Sequence, residues 1–314
     1  SLMSSSWQLA SSYAAGLAVA TGTRYAPPVG YCGNRATEAR HKYKLRGTYT
    51  LSKLWIKILA NTCTADSFIR SRKNGANGGQ LITIGAGLTG AFADDIGSDS
   101  LVDGDLLNTL ITAGAGGSLT YNIIAYLLSA DSDIPIFGTP DVGANSLAIG
   151  ASPGYALGGR QRDSDDELRF QITLYTAATF SKMTEYIDTN SLNLDSTVFE
   201  ILKTLVAGNQ TITITPGQVG YVEDLVNTDA FAVGDTMIYR ARVGNVGGGT
   251  GSIKPIYAQM MSSSVARQIV TSGTSSWDAG TTLYVPLESG MDSTSSSYST
   301  TEANVQMVCR TPFR

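Results

Sequence analysis

The feature that most constrains this chain is that part of it is written twice. Residues 80–105 read QLITIGAGLTGAFADDIGSDSLVDGD, and residues 210–235 read QTITITPGQVGYVEDLVNTDAFAVGD. Ten of these ungapped positions are identical, where unrelated residues match at roughly one or two, so a structural unit is duplicated. Ile82 and Ile84, like Ile212 and Ile214, alternate with Thr83 and Thr213, the period-2 pattern of a half-buried strand. Gly87, Gly90 and their copies Gly217, Gly220 supply turns, and Gly104-Asp105, like Gly234-Asp235, opens the next strand. The repeat specifies strands and turns and carries no catalytic group.

The correspondence extends outward. Ser52-Lys53-Leu54 recurs as Ser181-Lys182-Met183, Asn61 as Asn190 and Asp66-Ser67 as Asp195-Ser196. Two β units of similar topology are therefore expected, residues 37–132 and 165–262. The Pro- and Gly-rich residues 133–164 read as a linker and residues 1–36 as an N-terminal arm. Past residue 262 the pattern begins a third time. Thr282-Leu283-Tyr284-Val285-Pro286 echoes Thr23-Arg24-Tyr25-Ala26-Pro27, and Thr301-Glu302-Ala303 repeats Thr37-Glu38-Ala39. Residues 263–314 are read as a C-terminal strand segment, the start of a third repeat. The fold class that follows is all-β, two tandem antiparallel β-sandwich domains with terminal strand segments.

Only 15% of residues are charged and Gly numbers 34, the profile of a turn-rich β protein. The net charge of -4 offers no field for a phosphate backbone, which argues against nucleic acid as a partner. No apolar run is long enough for a membrane-spanning helix. Three cysteines, Cys32, Cys63 and Cys309, give no zinc pattern and at most one intrachain disulfide. Buried or idle thiols are the expectation, and no cofactor is implied.

His41 is the single histidine and is expected on an exposed strand face among Arg40, Lys42 and Lys44. Asp94, Asp99, Asp103 and Asp105 crowd one loop; calcium favours clustered oxygens, but the EF-hand spacing is absent, and turn-stabilising carboxylates are the simpler reading. The glycine runs at 114–117 and 247–249 lack a following helix or Gly-Lys-Ser/Thr and are read as hairpin connections. Asn209-Gln210-Thr211 is a glycosylation sequon, expected at a loop-to-strand junction.

The string Phe68-Ile69-Arg70-Ser71-Arg72-Lys73-Asn74-Gly75-Ala76-Asn77-Gly78, with Ile82-Thr83-Ile84-Gly85-Ala86-Gly87 and Val102-Asp103-Gly104-Asp105, resembles tandem jelly-roll-like β-sandwich repeats in proteins of environmental bacteria and phages. The resemblance covers residues 37–130 well and 165–262 more loosely. It implies a surface, fibre or virion building block and no enzyme activity.

Duplication, low charge and the third leading segment together favour a self-assembling subunit of an extracellular or cell-surface filament, with the chain itself as partner. Copies are expected to join head to tail by β-strand complementation, Val305, Met307 and Cys309 alternating into a neighbour's sandwich, with Thr301, Glu302 and Phe313 in the same joint. A virion protein, either a double jelly-roll capsid or a fibre, is the alternative. A pair of carbohydrate-binding modules, with glycans as partner, is the third reading.

Overall fold

The alternation of Ile and Thr specifies strands with one wet face, and the computed structural model of the chain is built of them almost throughout. It describes residues 6–31, 36–130, 134–138, 147–148, 154–155, 171–244 and 249–263. No helix among these is long and apolar enough to cross a membrane.

The first unit contains β1 (Ser6–Ala26), β2 (Gly30–Tyr31), a 3-10 turn (Glu38–His41), β3 (Tyr43–Lys44), β4 (Tyr49–Asn61), β5 (Ser67–Lys73), β6 (Ala76–Ile84), β7 (Gly90–Leu101) and β8 (Leu106–Ala130). β1 runs antiparallel along β8 from Ser6 opposite Ala130 to Ala26 opposite Thr109. The far half of β8 also pairs with β4, which pairs with β7. The near half pairs with β5, which pairs with β6. With each long strand counted as two, first pairs with eighth, second with seventh, third with sixth and fourth with fifth. That is the jelly-roll scheme of two facing antiparallel sheets.

The second unit contains β9 (Ile134–Gly138), β10 (Leu147–Ala148), β11 (Gly154–Tyr155), β12 (Ile172–Thr173), β13 (Ala178–Asn190), β14 (Thr197–Lys203), β15 (Val206–Ile214), β16 (Gly220–Phe231), β17 (Thr236–Val243) and β18 (Ser252–Ser262). One sheet carries β9 and β10 on β18, then β13 and β16; the other carries β11 and β12 on β17, then β14 and β15. The same scheme is traced with shorter strands.

Two segments differ from their expected roles. Within the residues read as an arm, 6–26 form β1; within those read as a linker, β9, β10 and β11 take the places that β1 holds in the first unit. Pro135 sits within β9, which among the described residues pairs only with β18, the edge position at which a strand tolerates a residue lacking an N–H. The glycines at 114–117 form no hairpin but a bend inside the continuous β8, where the strand passes from one sheet to the other. At Gly117 a Cβ would lie 2.2 Å from Thr62 O, so the connection after β4 approaches too closely for any side chain. Of the glycine run at 247–249, only Gly249 is described, and it lies between β17 and β18.

Ile82, Ile84, Ile212 and Ile214 are buried in the two cores while Thr83 and Thr213 are exposed, the register that the alternation specifies. Ile123 is buried too, but outside both core clusters.

Candidate functional site

The repeated aspartates work on the backbone. Asp94 accepts from the N–H groups of Leu81 (2.8 Å), Ile96 (3.0 Å) and Gly97 (2.8 Å), and its copy Asp224 from Thr211 (3.1 Å), Val226 (3.2 Å) and Asn227 (3.0 Å). Asp99 accepts from Ser71 and Gly79, and Asp229 from Asn209 and Gln210. Asp105 accepts from Val102 N (2.8 Å) and Asn74, with Lys73 at 3.0 Å. Asp103 faces away, to Arg46 and Gly47. The four calcium candidates are thus not gathered into a cage, and among the described residues no group of three or more His, Cys, Asp or Glu could hold a metal ion.

Other singled-out residues are placed as follows. His41 is fully buried at the end of the 3-10 turn, its Nδ1 3.2 Å from Thr37 O, so the exposed strand face expected for it is not found. The 3-10 turn that carries it packs against β1 and β8 of the first unit. Asn209 is exposed but within β15, its side-chain amide donating to Thr228 O at 3.1 Å. Cys63 is a buried free thiol. Cys32 and the predicted assembly residues Thr301, Glu302, Val305, Met307, Cys309 and Phe313 lie outside the described residues.

A polar and aromatic cluster joins the two units. Residues 38–49, between β1 and β4, lie across the outer face of the sheet formed by β13, β16 and β18. Alternation on those strands puts Met183, Ile187 and Met260 into the second core and leaves Tyr186, Tyr221, Glu223, Tyr257 and Gln259 facing the first unit. Arg40 donates to Asp188, its Nε to Oδ1 at 2.8 Å. Glu223 accepts from Lys44 Nζ (3.0 Å), Arg46 Nε (3.0 Å) and Thr184 Oγ1 (3.2 Å). Arg46, 7% exposed, also reaches Asp103 Oδ2 at 2.7 Å, so one guanidinium links carboxylates of both units.

Tyrosines read the backbone of the segment. Tyr221 donates its hydroxyl to Lys42 O and Tyr257 to Lys44 O, both at 2.7 Å. With its amide nitrogen turned to Lys44 O (2.8 Å), Gln259 accepts from Arg46 N at 3.1 Å, so the main chain at 44–46 is bonded as a strand would be. The Tyr43 and Tyr257 rings are 4.1 Å apart, and Tyr257 and Met261 belong to the first unit's core cluster.

Charge follows the geometry. Burial would raise the Glu223 carboxyl, but the hydrogen bonds and charges of Arg46 and Lys44 outweigh it and hold it below the usual glutamate value. For Arg46, burial would lower the guanidinium, and Glu223 and Asp103 together hold it above its ordinary value. The joint is pre-set as a charged, hydrogen-bonded contact between unlike surfaces. Sequence reading missed it because its members are scattered through 38–49, 184–188, 221–223 and 257–261. The tyrosines at 186, 221 and 257, on strand positions opposite each other, were the available signal.

Glu185 stands apart. It is fully buried inside the second unit and accepts from Tyr239 Oη, and its other oxygen, Oε2, has no partner among the described residues. Burial, only partly opposed by that hydrogen bond, drives its carboxyl well above the ordinary value, favouring the neutral acid.

No family model matches the chain, and no curated protein does. Among solved structures, it is similar to a Paenibacillus xanthan lyase at 15% identity, over 70% of this chain and 22% of that one, with a TM-score of 0.23. It is also similar to PNGF-II at 10% identity, over 71% of this chain and 58% of that one, with a TM-score of 0.25. The chain thus spans less than two thirds of either, and similarities this weak carry no functional argument.

Proposed function

We propose that the chain is the self-assembling structural subunit of an extracellular filament, its copies joined head to tail. The observation that supports this most is the joint itself. A segment of one jelly roll docks on the outer face of the next, two different surfaces meeting, and a contact of that heterologous kind, repeated between copies without closure, makes a fibre. The sequence begins a third leading segment at 263–314 that repeats the docking segment of the first unit.

The form of the joining contact has to respect occupied positions. β1 fills the leading-strand place of the first unit and β9 to β11 that of the second, so an added strand has to extend a free edge or displace one of these. Docking of the 38–49 type needs no displacement. A virion building block is the second reading, favoured by the jelly-roll pairing scheme that recurs in capsid domains. Negative-stain microscopy of the purified protein is the test. Fibres are expected; closed shells support the virion reading, and dispersed monomers across micromolar concentrations overturn both.

A further inference from the structure

Beyond the head-to-tail contact, we infer a second one: the end of the second unit that carries Tyr175, Leu205, Val206 and Val233 pairs with the same end of a second copy about a twofold axis.

Backbone hydrogen bonds put the ends of the two units in correspondence. Leu45 exchanges hydrogen bonds with Gly104 and Asp105 as Leu174 does with Gly234 and Asp235, and Asn74 N donates to Leu106 O as Thr204 N does to Thr236 O. Arg46 therefore corresponds to Tyr175, Asp103 to Val233, and Gly75-Ala76 in the hairpin from β5 to β6 to Leu205-Val206 in the hairpin from β14 to β15. In the first unit this end is already a contact surface. Arg46 meets Glu223 there and Asp103 lies 3.7 Å from Lys182, so the charges of the end face opposite charges on the second unit. In the second unit both charges are gone together. Tyr175 is 83% exposed, Val206 68%, Val233 66% and Leu205 50%, and they sit on turns that the backbone bonds hold side by side. Apolar side chains exposed as a group mark a protein contact, whereas single ones are ordinary.

The lost charges identify the occupant. A partner seated on this end can bring no carboxylate or cation of its own without leaving it desolvated and unpaired. The charges beside the four side chains are already matched to each other, Lys203 lying 3.0 Å from Asp235 and donating to Ala230 O at 2.7 Å. A second copy of the same end meets both conditions. The outer faces of the large sheets do not: that of β13, β16 and β18 is taken by the first unit, and Trp55, Ile123, Ala125 and Leu127 on that of β4 and β8 are at most 9% exposed. An isologous contact between identical apolar ends needs no further surface and closes as a pair.

Sedimentation of the full chain, of Val233→Asp, of Tyr175→Arg and of an equimolar mixture of the two variants tests this. Each substitution installs the residue that the first unit carries at that place, on an exposed site, and thermal melting checks that the fold is kept. The full chain is expected to form a concentration-dependent dimer, and each variant alone to have its dissociation constant raised about tenfold or more, because the introduced charge meets its own copy across the axis. The mixture is expected to recover dimers, since a mixed pair brings neither two introduced aspartates nor two introduced arginines together. An undiminished dimer from either variant overturns the inference, and so does loss without recovery on mixing, which places the end on an unlike surface. A full chain without dimers at hundreds of micromolar overturns it too. So does a photocrosslinker at position 233 that reacts with residues 264–314 of its own chain and never between copies. Head-to-tail polymers grow past the dimer and are read in the same runs, so the failure of one contact is distinguishable from the failure of the other.

Discussion

Glu185 shows how one residue sets a pH dependence against the rest of the molecule. Its folded carboxyl is held neutral well above the ordinary value, while the unfolded chain ionises it near 4.5. The stability it permits is therefore complete below that value and is lost as pH rises toward the folded value. Glu185→Gln keeps the shape and removes the titration. We expect the variant to be more stable than the parent at pH 7.5 by about 1–3 kcal/mol and nearly equal at pH 4, read from urea melts at both. Equal stability at pH 7.5 would show that the carboxyl has found solvent or a cation. The repeated aspartates act in the other direction. Burial would raise Asp94 and Asp224, but three backbone N–H groups apiece outweigh it and hold both low, so their contribution is present above 3.8 and lost as pH falls below it. That these positions match between repeats was visible in the sequence, and the turn-stabilising role assigned to them is what their hydrogen bonds perform. His41 was not legible, because its burial comes from residues far away in the chain.

At the scale of elements, alternation gave strand identity and register wherever one face was wet, as at Ile82-Thr83-Ile84. It did not show where β8 leaves one sheet for the other, because the Gly-rich residues 114–117, which the pairing with β1 skips, read like a hairpin turn. The glycines mark it only once their neighbours are known: Gly114, Gly116 and Gly117 all lie against the 62–65 connection. Gly117→Val is expected to cost about 3 kcal/mol or more, since the clash is with backbone that cannot rotate away. Ala207→Val, at an exposed position of β15, is expected to cost less than about 0.5 kcal/mol. Thermal melts of the two variants measure the contrast, and similar losses would mean that the close approach after β4 relaxes freely. The segments between the units escaped the sequence reading for a related reason. Short edge strands rich in Pro and Gly look like linkers until the strand they pair with is identified.

The whole molecule is two jelly rolls coupled through Arg46 and Glu223. Because Glu223 is held below its ordinary value, the coupling is present above pH 4.5 and is lost as pH falls through the lowered value. Calorimetry is expected to give one cooperative transition at pH 7. Glu223→Gln is expected to separate it into two, with a coupling to Arg46→Met of about 1–3 kcal/mol in a double-mutant cycle. A single unchanged transition in Glu223→Gln would move the coupling to the tyrosines. The two-unit plan was legible from the repeat alone, whereas how the units meet was not, since the contact is made by residues that differ between the copies.

The pairing of β1 with β8 also dictates an order of events during synthesis. Ser6 finds its partner only when Ala130 exists, so β1 stays unsatisfied until β8 has been made. At about 5–20 residues per second, a nascent chain carries that unpaired strand for several seconds or more before its sheet can close. During that interval the leading strands of neighbouring nascent chains compete for the same vacancy. Spacing between ribosomes on one message is then expected to affect how often a chain is completed by its own β1.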